Sequence, residues 1–267
     1  MESYSLHPIS QMRIILFICF FLGFFELVFP QSSIFADEMI TSPQNLSLEQ
    51  SRDQLLKIYV NANKGKTFFY DCRFDSKGEI YENSCESVLK KDRLKNRTLV
   101  WLYGMPPFAF GKTLACWSRS ICVRPNGRPF RGPSCCKEKS NRYHEMESDM
   151  HNLFPTFWKL NRARVNQEFG DIRGEKRKFG NCDIEVNRKF IEPRSKLKGD
   201  VARVYLYMSN QYEIPLRKHF EESLRMWHLM DPPDIWEIER NNFIEAKQGN
   251  RNPFIDYPKL VKRKEKF

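Results

Sequence analysis

Cys116, Cys122, Cys135 and Cys136 crowd into one basic segment, CWSRSICVRPNGRPFRGPSCCK, and no other feature restricts the folding of this chain as tightly. Whether they cross-link depends on the compartment, which the N-terminus addresses. Arg13 precedes the apolar run IILFICFFLGFFELVF; Pro30 and SSIFADE follow, with the small Ala36 placed for cleavage. This is the pattern of a secretory signal peptide over residues 1–36. A retained transmembrane anchor is the rival reading, but Glu26 interrupts the run and strongly basic flanks are missing, so no membrane anchor is expected after cleavage. Export puts the chain in the periplasm or outside the cell, where cysteines pair. Cys19 leaves with the leader, and Cys72, Cys85, Cys116, Cys122, Cys135, Cys136 and Cys182 remain, an odd number. The spacings lack a pair of C-x-x-C knuckles, so disulfides are expected in place of zinc.

The clustered cysteines also carry charge between them. From Trp117 to His144 the segment holds Arg119, Arg124, Arg128, Arg131, Lys137, Lys139 and Arg142 against the single acid Glu138, and it reads as a pinned basic loop. The whole chain has a net charge of +11 and a pI near 9.3, which favours polyanionic partners such as nucleic acid or an anionic envelope surface. At 267 residues it is long enough for one domain with a processed leader and a tail.

Residues 37–54 are expected to be a linker, 55–258 the folded domain and 259–267 a solvated basic tail. Leu55, Ile58 and Tyr59 recur at helical spacing and predict an opening amphipathic helix. KTFFYDCRF and RTLVWLY are rich in aromatic and β-branched residues and predict strands of a small sheet. Pro155 suits the first turn of a helix running through Phe157, Trp158 and Leu160 to Asn161, with its apolar side chains in the core. Leu216, Phe220, Leu224 and Trp227 form one helical stripe, and a further helix is predicted from Ile235 to Lys247.

Three strings go beyond composition: MESDMHNLFPTFWKLN (Met146 to Asn161), KGDVARVYLYM (Lys198 to Met208) and WEIERNNFIEAKQGNRNPFIDYP (Trp236 to Pro258). In order and spacing they resemble the bacterial endonuclease I family, periplasmic or secreted non-specific nucleases with a ββα-metal, or His-Me finger, active site. The resemblance covers roughly Leu55 to Pro258. It implies a mixed α+β fold with small sheets around a ββα-metal core, disulfide-stitched, with a basic cleft for nucleic acid. It also implies three catalytic parts: a His that deprotonates water, and a Glu and an Asn that hold one divalent cation, Mg²⁺ by resemblance, against the scissile phosphate.

The family pattern Trp-Glu-His-Val-Val-Pro-Ala, followed by Phe-Gly and Cys-Trp, aligns without gaps to Trp101, Leu102, Tyr103, Gly104, Met105, Pro106 and Pro107, then Phe110-Gly111 and Cys116-Trp117. Leu102 therefore takes the metal-binding Glu position and Tyr103 the general-base His position, while Asn161 matches the remaining ligand. Leucine offers a cation no lone pair, and a phenol of pKa about 10 is a poor base at neutral pH. Candidate substitutes are His151, within MHNL, and His144, paired with Glu145. Arg119, Arg124, Arg128, Arg131, Lys137 and Arg164 are the candidate nucleic-acid contacts. The resemblance also implies that Cys72 pairs with Cys85 and that Cys182 is the odd thiol, because Ile238 stands near the Trp-Glu string where the family commonly has a cysteine. The remaining four pair among themselves in an order that spacing leaves open.

These readings lead to an exported monomer that binds DNA or RNA and hydrolyses it weakly or not at all, a pseudonuclease. The alternatives are an active nuclease with relocated base and ligands, and a secreted module that engages a protein partner through the same fold.

Overall fold

The computed structural model describes residues 46–85, 97–164, 167–174 and 183–267; residues 1–36, expected as a leader, and Cys182, expected as the odd thiol, lie outside them. Helix α1 (Leu48–Asn61) opens with a capping box, in which the Ser47 hydroxyl accepts from the Gln50 N–H and the Gln50 side chain accepts from the Ser47 N–H. It buries Leu55, Ile58 and Tyr59 as the spacing predicts, but it begins inside the stretch expected as linker.

KTFFYDCRF is a turn where a strand was expected. Thr67 and Cys72 are tied by two bonds, Thr67 N–H to the Cys72 carbonyl at 2.9 Å and Cys72 N–H to Thr67 Oγ1 at 3.0 Å, and Asp71 reverses the chain at a φ of 52°. Such local side-chain bonds compete with a sheet ladder. The Cys72–Cys85 disulfide is present as expected.

Strand β1 (Leu99–Tyr103) forms as predicted. After it the chain makes the hairpin β2 (Cys122–Val123) and β3 (Pro129–Phe130), then helices α2 (Pro133–Lys139) and α3 (Asn141–Ser148). Cys116–Cys136 and Cys122–Cys135 fasten the segment before the hairpin and the base of the hairpin to adjacent positions on α2, which resolves the connectivity. Strand β4 (Leu153–Phe157) then pairs antiparallel with β1, and helix α4 (Trp158–Arg164) follows at once. Pro155 is therefore in the middle of a strand, opposite Trp101, with its carbonyl accepting from Phe68 N–H at 2.8 Å. LFPTF is buried along its whole length, so it is a short apolar run without the alternation that would have marked it as a strand.

A small sheet of β5 (Glu168–Phe169), β6 (Glu185–Val186) and β7 (Phe190–Glu192), ordered β5-β7-β6, leads into the almost wholly buried helix α5 (Lys198–Tyr212). Helix α6 (Lys218–Met230) packs on α5 with Leu224 and Trp227 turned inward; Leu216 precedes the helix. Helix α7 (Ile235–Gln248) starts at an Asp234/Glu237 capping box and stops at Gly249, whose φ of 85° is one that glycine adopts without steric cost. The tail is folded and not solvated as expected: Val261 and Phe267 are buried, Arg225 Nη2 donates to the Lys264 carbonyl at 2.7 Å, and its guanidinium covers the Phe267 ring. Apolar residues interleaved with KRK give the tail a docking face that its charge concealed. Helices and small sheets together make the α+β, disulfide-bonded fold that was expected. Among the described residues, no helix is long and apolar enough to cross a membrane.

Candidate functional site

Strands β1 and β4 and helix α4 make a compact unit of two antiparallel strands and a following helix that packs on both. The end of β1 is fixed from three directions. Arg164, on α4, donates Nη1 to the Tyr103 carbonyl and Nη2 to the Gly104 carbonyl, the latter at 2.5 Å. Asn152 accepts from Met105 N–H at 2.6 Å and donates back to the Met105 carbonyl at 3.0 Å. Gly104 lies against α5 so closely that a Cβ there would come within 2.5 Å of Val204 Cγ1, so no larger residue fits without displacement.

Within that frame the side chains diverge in character. Leu102, opposite Phe154, is 1 % exposed and belongs to the core. Tyr103, opposite Leu153, directs its hydroxyl to Glu147 Oε1 at 3.4 Å, and Glu147 meets Lys137 Nζ at 2.9 Å on its other side. Burial, and next the Glu147 charge, raise the Tyr103 phenol above its ordinary pKa, although nearby Arg52 opposes the shift. A phenol in this setting keeps its proton and donates it to a hydrogen bond. Asn161 sits on α4, half-buried. One leucine, one protonated phenol and one carboxamide do not fit a divalent cation, which needs several oxygen ligands. Among the described residues no group of three or more His, Cys, Asp or Glu side chains is arranged to hold one.

The two candidate substitutes are held elsewhere. His144 is exposed on α3 and its Nε2 donates to the Lys137 carbonyl at 2.8 Å. His151 is 1 % exposed, packs 4.7 Å from the Tyr207 ring, and bonds the Asn250 carbonyl through Nε2. Burial lowers its pKa to about 4.

Arg119, Arg124, Arg128, Arg131 and Lys137 are all exposed on or beside the disulfide-fastened hairpin. Arg124 lies 4.8 Å over the Phe130 ring and Arg131 Nη1 donates to the Ser118 carbonyl at 2.8 Å. Arg164 is corrected from this set: it is buried, committed to two backbone carbonyls, and stacked 4.3 Å over Phe169. Its side chain turns to the end of β1 and leaves no donor free on the surface side. Sequence reasoning missed two other residues. Glu147 could have been singled out as an acid inside MESDMHNL. Trp158 was expected inward, yet it is 46 % exposed, with the Arg162 guanidinium 5.1 Å over its ring.

The other two strings contribute buried polar bonds to the fold. Arg203 of KGDVAR forms a two-pronged pair with Glu237, 2.6 Å on each prong, and donates to the Asp231 carbonyl at 2.6 Å. Gln248 and Asn250 of QGNRNPF close a buried network with Asp149 and Tyr207: Gln248 donates to Asp149 at 2.9 Å and to Asn250 at 2.7 Å, and Asn250 donates to the Tyr207 hydroxyl at 2.6 Å. A satisfied network of this kind fixes three distant chain segments in one arrangement.

The fold and this site define a disulfide-bonded α+β protein of the nuclease type, with a strand–strand–helix unit at its centre. The chain belongs to the Endonuclease I family, whose model matches residues 43–259. It is 32 % identical over 211 residues to a periplasmic deoxyribonuclease of Aeromonas hydrophila, covering 77 % of this chain and 83 % of that one. It is 28 % identical over 207 residues to an Endonuclease-1 of Buchnera aphidicola subsp. Acyrthosiphon pisum, covering 76 % and 78 %. An extracellular ribonuclease of Bacillus subtilis is 36 % identical over 130 residues, with 42 % and 44 % covered.

Proposed function

We propose that this protein is an exported member of the Endonuclease I family that binds nucleic acid through its basic hairpin and cleaves it weakly or not at all. The observation that carries the reading is the pair Leu102 and Tyr103: one side chain packed in the core, the other a phenol held in its protonated form against Glu147. Removing a general base typically costs about 10²–10⁴ in rate, and an apolar ligand position weakens any cation besides; because both serve one transition state, the losses do not simply multiply. His151 is walled into the core and His144 is tied to a backbone carbonyl, which disfavours a relocated base. The relatives' names, periplasmic and extracellular, agree with export, and their deoxyribonuclease and ribonuclease labels make DNA and RNA the ligands to test.

What the chain retains is a rigid basic projection. Disulfides hold the hairpin's base, so little conformational freedom remains to be lost when Arg119, Arg124 and Arg128 meet phosphates. Binding should be sequence-tolerant and should weaken with salt as counterions are released. The test is fluorescence anisotropy with a labelled duplex and a labelled RNA between about 50 and about 200 mM salt. The double variant Arg124→Ala, Arg128→Ala should reduce the slope of log K against log salt by about 1.8, at about 0.9 for each lost contact. No binding by folded protein at low salt would overturn this reading in favour of a protein-interaction module.

A further inference from the structure

Helix α4 has two faces of different character. Leu160 and Arg164 are buried on the side that packs against β1 and β4. Trp158, its first residue, and Arg162, one turn on, are exposed, with Asn161 half-buried beside them. Residues four apart on a helix are surface neighbours. Here they meet, with the Arg162 guanidinium 5.1 Å over the Trp158 ring.

Neither side chain is consumed by the fold. Of the five tryptophans, Trp227 lies in the core and Trp101, Trp117 and Trp236 pack against it, whereas Trp158 is 46 % exposed. An indole left in water forgoes one of the largest apolar burials that any side chain offers. Among the described residues Arg162 has no carboxylate or carbonyl partner, so its N–H donors are open to a ligand. A lone exposed apolar residue is ordinary on a protein surface. Here a broad aromatic ring is joined to an unneutralised planar cation, and these are the two kinds of surface on which unstacked bases are held. In a duplex the faces of each base are covered by its neighbours, and an indole meets only groove edges and sugar; an unpaired base offers its whole face. Tryptophan and arginine also anchor protein interfaces, but the net charge of +11 and the free guanidinium complement a phosphate strand.

We infer, building on the nucleic-acid binding proposed above, that Trp158 and Arg162 form a stacking site for an unpaired nucleobase, with the base against the indole and the guanidinium donating to the adjoining phosphate. The preferred ligand is then single-stranded nucleic acid. The test is fluorescence anisotropy of the full oxidised chain at low salt with three labelled probes: oligo-dT, an abasic strand of the same length and charge, and a duplex. Oligo-dT should bind at least about fivefold more tightly than the abasic strand, the difference that one stacked base supplies. Trp158→Ala should abolish that difference while the abasic strand and the duplex bind as before, and Trp158→Phe, which keeps a ring, should retain part of it. Both substitutions are exposed and neutral, so an unchanged melting temperature is the control for folding. Unaltered oligo-dT binding by Trp158→Ala would overturn the inference, leaving the exposed pair to a protein partner and nucleic-acid binding by the hairpin intact. A loss shared equally by all three probes would also overturn it, as the mark of a backbone contact without stacking. Absence of binding to every probe would remove the proposed function and the stacking site together.

Discussion

Replacing Arg164 with alanine separates the two roles that its position in the chain allows. As a phosphate contact its loss would weaken nucleic-acid binding and leave stability alone; as a buried clamp it does the reverse. The guanidinium donates to the carbonyls of Tyr103 and Gly104 and stacks on Phe169, and burial lowers its pKa to about 10. A hydrogen bond from a charged donor contributes about 1.5–3 kcal/mol net, so two contribute about 3–6 kcal/mol, and relief from desolvating the cation offsets part of the loss. A net destabilisation of about 3 kcal/mol is the working figure. For a domain of this size that corresponds to a fall in Tm of about 6–12 °C. Calorimetric melting of the oxidised Arg164→Ala protein should show this fall, while duplex binding measured well below the transition keeps the wild-type salt slope. A Tm within about 1 °C of wild type together with a slope reduced by about 0.9 would refute the clamp and restore Arg164 to the interface.

Two further outcomes are expected. His151 has a folded pKa of about 4 against 6.5 for the free side chain, so the unfolded chain takes up a proton first. Its contribution to stability is complete above about pH 6.5 and is lost as pH falls through about 4, by up to about 3 kcal/mol; pH-dependent melts of His151→Phe should lack this increment relative to wild type. The double change Leu102→Glu, Tyr103→His should create a cation site: the metal-free variant melts lower than wild type because a carboxylate replaces a core leucine, Mg²⁺ raises its Tm, and it nicks plasmid far faster than either single variant. A folded double variant whose Tm ignores Mg²⁺ would contradict the assignment of the two positions.

How much of this was legible in the sequence depended on the range of the interactions. The opening helix, β1, the α6 stripe from Phe220 to Trp227 without Leu216, the α7 helix and the Cys72–Cys85 pair follow from local spacing or from the resemblance, and the structure has them. The start of α1 was misplaced because Ser47 and Gln50, a capping box by type, sit in a polar stretch that reads as linker. Proline suits a first helical turn and LFPTF carries no strand alternation, so Pro155 reads as helical from sequence, and only pairing with β1 and the bond from Phe68 make it part of a strand. The tail was given to solvent because its charge hides Val261 and Phe267, whose partners lie on remote segments. At the site, identity was legible and direction was not: the sequence placed leucine and tyrosine at the two positions, but the burial of Leu102, the Tyr103–Glu147–Lys137 chain and the inward turn of Arg164 are tertiary facts.

Whether the chain cuts nucleic acid is the most direct test of the account. Purified oxidised protein is incubated for many hours with supercoiled plasmid, and in parallel with RNA, in Mg²⁺ or in chelator, and strand breaks are followed by gel. The account predicts retarded but intact nucleic acid, with little or no difference between Mg²⁺ and chelator. Turnover close to that of an ordinary nuclease, abolished by chelator, would contradict it and show that residues other than Leu102 and Tyr103 supply both ligand and base.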